Sequence, residues 1–174
     1  FAEVDKYSAI FAAWIQQNTD LQVGDRIAVQ LPNLLQYPIV VFGAMRAGLV
    51  VVNTNPLYTA REMEHQFKDA GCKALVTLAN FGHLVQEVLP RTGIRYVIIS
   101  ELADMLPFPK RIVVNNVVKY IKKLVPSYHL PTAIPFTQVM KANTSKFKEV
   151  TPKPDDIAVL QYTGGTTGVS KGAM

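Results

Sequence analysis

Short runs rich in β-branched residues, Arg26 to Leu31, Leu49 to Asn53, Lys73 to Leu78 and Tyr96 to Ser100, recur at intervals of about 20 to 25 residues. Helical patterns lie between them. Tyr7, Ile10, Phe11, Trp14 and Ile15 fall at i, i+3, i+4, i+7 and i+8, which predicts an amphipathic helix ending near Asn18 with its aromatic stripe in the core. A second helix is placed from about Gln36, since one begun at Leu34 would lose a backbone donor at Pro38, and Gly48 closes it. Thr59 and Glu62 form a capping box for a third, which runs to about Ala70 and stops at Gly71. A fourth covers roughly His83 to Leu89 and ends at Pro90. Strand and helix alternating in this way predict the α/β class, with parallel-sheet layers and flanking helices.

The pattern changes after Asp104. Residues 1–104 carry eight Lys/Arg against ten Asp/Glu, a net of −2, whereas 105–148 carry eight Lys/Arg and no acid, a net of +8. Within the basic region Val114, Val117, Val118, Ile121, Leu124 and Val125 trace a helical stripe with Lys119, Lys122 and Lys123 off it. That predicts a basic amphipathic helix over 111–125, ended by Pro126. Such a helix can lie on anionic lipid; the plainer expectation is that its apolar face packs on the domain and the lysines are solvated. Nucleic acid suits the same charge poorly, because few aromatics are interleaved with the bases. Phe136 to Met140 reads as one further helical turn. The chain therefore divides into an α/β subdomain at 1–104, a basic helical connector at 105–154, and a strand with its loop at 155–174.

Several classes are disfavoured. One cysteine, Cys72, allows no intrachain disulfide and reads as a small buried residue beside Gly71. The longest apolar run, Pro38 to Val52, falls short of the ~20 residues a membrane span needs, and Arg46 interrupts it. His65, His83 and His129 lack ligand spacing. Asp155-Asp156 reads as a solubilising pair ahead of the last strand, and Arg61, Glu62 and Glu64 as structural.

The chemistry concentrates at the end of the chain. Ile157 to Leu160 has the length and β-branched content of a buried strand, and the composition then changes abruptly. In Tyr162-Thr163-Gly164-Gly165-Thr166-Thr167-Gly168-Val169-Ser170-Lys171-Gly172, four glycines and three threonines fall within ten residues. Such a backbone can enter φ > 0 regions and turn its N–H groups inward, the hydroxyls add donors, and Lys171 adds a mobile charge. Polyphosphate is the anion that best explains this donor density. A Walker loop is excluded, since Ser170 precedes Lys171 and Gly172 follows it, so the hydroxyl expected after the lysine is missing. The dinucleotide G-x-G-x-x-G spacing is absent as well.

This run resembles, nearly letter for letter, the signature loop of the adenylate-forming superfamily. Three further stretches narrow the resemblance: Pro32-Asn33-Leu34-Leu35-Gln36-Tyr37-Pro38, Asn53-Thr54-Asn55-Pro56-Leu57-Tyr58-Thr59, and Val117 to Pro131. With the loop they look like the bacterial long-chain fatty-acid:CoA ligases, a branch in which glycine is typical at Gly164 and a residue other than proline, here Ser170, precedes Lys171. The resemblance covers nearly the whole chain. It implies an internal fragment of the large N-terminal domain of an adenylate-forming enzyme, inactive alone. The whole enzyme would join a long-chain fatty acid to coenzyme A through an acyl-adenylate, using ATP and Mg²⁺ and releasing AMP and pyrophosphate. By resemblance, Tyr162, Thr163, Gly164, Gly165, Thr166, Thr167, Gly168, Lys171 and Gly172 would bind the nucleotide, Thr166 and Lys171 would serve catalysis, and Thr163 would help ligate the metal. The expected location is cytoplasmic, with or without peripheral contact to an anionic membrane on its inner face, and a homodimer is left open. Two other readings stand beside this one: another adenylate-forming acid:CoA ligase, or a lipid-surface module working through helix 111–125.

Overall fold

In β1 (Arg26–Gln30), Ile27 and Val29 face one way and Ala28 the other, and all three are buried. A strand buried on both sides needs helices on both faces of its sheet. The computed structural model describes residues 1–163 and 171–173. In it β1 is central, flanked by β2 (Val50–Asn53) and β3 (Cys72–Leu78), and extended by β4 (Tyr96–Ser100), β5 (Ile134–Pro135), β6 (Val159–Thr163) and β7 (Lys171–Ala173). The order is β5-β4-β3-β1-β2-β6-β7, with every pairing parallel except that of β6 with β7. Strands from all three stretches of the chain thus share one sheet.

Helices α1 (Ala2–Asn18) and α2 (Gln36–Arg46) cover one face, where Phe11, Trp14, Ile39 and Val40 meet Ile27, Val29, Val51, Val76 and Ile98. The two helices touch closely. A Cβ at Gly43 would lie 2.8 Å from Phe11 Cβ and 2.9 Å from the Ser8 carbonyl, so only glycine allows α2 to approach α1 this far. Helices α3 (Ala60–Asp69) and α4 (Gly82–Val88) cover the other face, where Met63, Phe67, Val85 and Val88 meet Ala28, Val52, Leu75, Val97 and Ile99. On that face the buried Gln30 is satisfied by side chains: Thr77 Oγ1 donates to its Oε1 at 2.9 Å, and its Nε2 donates to Met63 Sδ at 3.4 Å.

The helix ends follow their sequence signals. Thr59 and Glu62 close the expected capping box, and the Thr59 hydroxyl and N–H together hold the Glu62 carboxyl below its usual range. Gly48 and Gly71 take φ of +81° and +62° just beyond α2 and α3, and Leu49 N–H reaches back to the Ala44 carbonyl at 2.9 Å. Pro90 does not stop the fourth helix outright, because a 3-10 turn, Leu89–Arg91, carries the chain past it.

The expected helix over 111–125 is shorter and changes pitch. Helix α5 (Lys110–Asn116) passes into one wide turn, Val117–Ile121, in which Lys122 N–H donates to the Val117 carbonyl at 2.8 Å, and Lys123 ends it with φ of +51°. Leu124 and Val125 lie beyond the helix. A segment so rich in β-branched side chains has little intrinsic preference for the α-helix, and it leaves the helix before Pro126 is reached. Beyond it, Phe136–Val139 forms α6, as expected, and buries Phe136 against Phe11.

Cys72 is buried where β3 begins, and desolvation pushes its thiol up to about 12. An unfolded chain ionises the same thiol near ~8.5. Between those values the folded state binds the extra proton, so this group withdraws stability as pH rises, at up to ~1.4 kcal/mol per pH unit. We predict that unfolding measured between pH 8 and pH 11 declines less steeply in Cys72→Ala than in the native sequence; parallel slopes would contradict the buried neutral thiol.

Candidate functional site

Because β1, β2, β3 and β6 run parallel, their C-terminal ends share one edge of the sheet. The connection from β1 leads to β2 on one side, and the next returns across β1 to β3 on the other. In open α/β sheets such a reversal opens a crevice between the outgoing loops. Here it is a cavity of about 810 Å³. Pro32 and Asn33 border it after β1, Asn53 to Tyr58 after β2 and Phe81 after β3, with Gln161 and Tyr162 contributed by β6.

The polar wall of the cavity is built on a hydrogen-bond relay that draws on four elements. Tyr37 hydroxyl donates to Asn53 Oδ1 at 2.9 Å, and Asn53 Nδ2 donates to Gln161 Oε1 at 2.9 Å. Gln66, buried on α3, donates through Nε2 to the Asn53 carbonyl at 2.8 Å. Asn55 folds the loop after β2 back on itself, its Oδ1 accepting from Leu57 N–H at 3.0 Å. These residues join α2, β2, α3 and β6 around the place where β6 leaves the sheet.

Of the expected loop from Tyr162 to Gly172, Tyr162 and Thr163 belong to a strand, β6, and Lys171 and Gly172 to another, β7. β6 begins two residues later than the apolar run Ile157–Leu160 suggests, with Ile157 itself exposed, and continues to Thr163. The chain then returns as β7, placing Gln161 opposite Ala173, Tyr162 opposite Gly172 and Thr163 opposite Lys171. Register pairing therefore brings the two ends of the loop together. Gly164, Gly165, Thr166, Thr167 and Gly168 lie outside the described residues.

Tyr162 holds this hairpin down. Its ring is buried, its hydroxyl donates to Asp69 Oδ2 at 2.5 Å at the end of α3, and burial together with that carboxylate raises its pKa. Gly172 leaves room for the ring: a Cβ there would stand 3.0 Å from Tyr162 Cε2. Both residues were expected to contact nucleotide; here the Tyr162 side chain is engaged with Asp69 and Gly172. Thr163 is exposed at the mouth of the loop, its hydroxyl available as a neutral oxygen donor. Among the described residues no group of three His, Cys, Asp or Glu could hold a metal ion. Magnesium takes hard oxygen ligands, and the exposed Thr163 hydroxyl is of that kind.

Tyr37, Asn53, Gln66, Asp69 and Gln161 carry no role that the sequence alone reveals. The Asn-rich run after β2 was a visible signal for one of them, since side-chain amides at a strand's C-terminal end suit a ligand edge. The pairing of Asn53 with Gln161 bridges 108 positions and leaves no local trace.

The sequence profile of the AMP-binding enzyme family matches residues 1–174. This chain belongs to that family. The AMP-binding relatives include a long-chain-fatty-acid–CoA ligase of Escherichia coli O6:H1, 51% identical across all of this chain and 31% of the relative's length. A protein of that description from Bacillus subtilis strain 168 is 40% identical over 94% of this chain and 29% of its own. The chain thus spans about a third of the relatives it matches. Among solved structures, a long-chain-fatty-acid–CoA ligase from Archaeoglobus fulgidus superposes with a TM-score of 0.73 at 24% identity, covering 99% of this chain and 29% of that one. The acetoacetyl-CoA synthetase of Streptomyces lividans superposes at 0.75 with 19% identity, over 98% and 24%. These likenesses establish the AMP-binding fold of the described sheet.

Replacing Tyr162 by phenylalanine removes one hydrogen bond to a carboxylate, a loss of about 1.5 kcal/mol. The amides of 171–173 are then predicted to exchange with solvent roughly tenfold faster while those of α1 are unchanged. Unaltered exchange in the hairpin would show that the Tyr162–Asp69 contact does not anchor it.

Proposed function

We propose that the protein to which this chain belongs activates long-chain fatty acids, converting fatty acid, ATP and coenzyme A into acyl-CoA, AMP and pyrophosphate. The observation that carries the proposal is identity of about one half, sustained over the full chain, to proteins described as long-chain-fatty-acid–CoA ligases. The hairpin's position at the C-terminal edge, beside the 810 Å³ cavity, supports it.

In the first step the fatty carboxylate attacks the α-phosphorus, forming the mixed anhydride as the bond to pyrophosphate breaks. A carboxylate is already a nucleophile and needs no base, so the barrier lies in gathering negative charge around one phosphorus. Backbone N–H groups of Gly164 to Gly168 and the hydroxyls of Thr166 and Thr167 would hold the β- and γ-phosphates, leaving the α-phosphate presented in line. Lys171 would neutralise charge as pyrophosphate departs. Mg²⁺, when bound, supplies further neutralisation on the phosphates, and Thr163 would offer it an oxygen. In the second step the thiol of coenzyme A displaces AMP to give the thioester. The cytoplasm is the proposed setting, since it supplies both ATP and coenzyme A.

The test is fatty-acid-dependent exchange of pyrophosphate into ATP by the full-length protein. Thr166→Ala together with Lys171→Ala is expected to lower it by at least ~100-fold, since one well-aimed donor alone is worth 10²–10³. Exchange at the native rate would remove these residues from the reaction.

A further inference from the structure

The apolar stripe expected to pack on the domain does so at Val114, Val117 and Val118, which are half-buried, whereas Ile121 and Leu124 stay exposed. Between α5 and the C-terminal ends of β4 and β5 this leaves a second cavity, of about 510 Å³. It shares no lining residue with the cavity of 810 Å³. Ile99, Leu130 and Pro135 give it an apolar lining, and its size is that of a small-molecule site.

Part of its polar wall is already bonded. Asp104 Oδ2 accepts from Glu101 N–H at 2.8 Å and from Ser100 Oγ at 3.1 Å, its Oδ1 accepts from Asn115 Nδ2 at 3.4 Å, and Asn115 Oδ1 accepts from Ala103 N–H at 2.9 Å. This network ties α5 to the turn after β4 and spreads the Asp104 charge over three donors. Two charges stand outside it. The Glu101 carboxylate and the Arg111 guanidinium belong to half-buried residues on the cavity wall, yet among the described residues neither has a hydrogen-bond or ion-pair partner. The Arg111 charge reaches Asp104 and the Glu101 charge reaches Tyr128, each from beyond hydrogen-bonding distance. Lys119 shares an adjoining hollow with Glu101 but holds its ammonium over the Tyr120 ring, 5.5 Å from the centroid. Tyr128 is set in place on Gly82, where a Cβ would stand 2.5 Å from its ring, and burial with the Glu101 carboxylate raises its pKa, so it meets the cavity as a neutral hydroxyl. Drawing a charge partly out of water without a partner costs free energy. Two such charges of opposite sign in one cavity call for a ligand that meets both.

We propose that this cavity binds a small zwitterion, a molecule with one carboxylate and one ammonium group, as a free amino acid has. Arg111 donates to the ligand's carboxylate, while Glu101 and the Tyr128 hydroxyl oxygen accept from its ammonium. A ligand of single charge would gain one of these contacts and be repelled by the other group. A nucleotide would bring several negative charges to a wall that carries two carboxylates. The inference does not rest on the adenylation reading, since it concerns binding at another cavity and no chemistry.

The experiment is ligand-observed NMR on the full-length protein, with the standard amino acids and γ-aminobutyrate as probes and acetate and ethylammonium as single-charge controls. At least one amino acid is expected to bind at least ~10-fold more tightly than either control, since each control forgoes one charged hydrogen bond. Glu101→Gln and Arg111→Gln each weaken that binding by at least ~10-fold. The same variants move the controls the other way: acetate binds better once Glu101 is neutral, and ethylammonium once Arg111 is. Neither side chain has a protein partner to lose, so both variants keep the native unfolding midpoint. Absence of binding by every amino acid, or a control that binds as tightly as the best of them, overturns the proposal. So do controls unmoved by both variants, and so does amino-acid binding undiminished in either, which would put the ligand elsewhere on the protein.

Discussion

The parallel ladder between β2 and β6 is the contact on which the rest depends. Val51, Val52 and Asn53 pair with Val159, Leu160 and Gln161, and this register carries a strand from the far end of the sequence to the edge where β1, β2 and β3 also finish. A one-residue slip would turn Tyr162 off the α3 face, lose its contact with Asp69 and part Asn53 from Gln161. The burial of Tyr162 and the amide pair of Asn53 and Gln161 therefore fix the register as well as benefit from it.

From that ladder follows a division of labour. The two apolar faces, one under α1 and α2 and the other under α3 and α4, hold the sheet between them, and the polar relay from Tyr37 through Asn53 to Gln161 ties together the edge that borders the cavity. The hairpin rises from this edge on a buried tyrosine. The pairing of Thr163 with Lys171 brings together the two ends of the run proposed to bind phosphate.

Elements with strong local signals were legible in the sequence. Pro38 placed the start of α2, Thr59 and Glu62 placed that of α3, and Gly48 and Gly71 marked chain reversals that need positive φ. What failed to show was set by distance or by weak propensity. β7 is a lysine, a glycine and an alanine, which carry no strand signal and become a strand only because β6 offers its edge. β5 is two residues, one of them Pro135, tolerated at the sheet margin. The stripe over 111–125 repeats as a longer helix would, but valine and isoleucine side chains and the left-handed Lys123 end the helix early. The glycine- and threonine-rich run was plain in sequence, but the side-chain pairings beside it were not, since Asn53 meets Gln161 and Asp69 meets Tyr162 only after the sheet has formed.

The central proposal is that the run between β6 and β7 holds the tail of a nucleoside triphosphate. The most direct measurement is a crystal structure of the full-length protein with a non-hydrolysable ATP analogue. The account predicts the β- and γ-phosphates within hydrogen-bonding distance of the backbone between Gly164 and Gly168, above an intact Tyr162–Asp69 contact. Phosphates bound at another edge of the sheet, with the tip of the hairpin free, would contradict it.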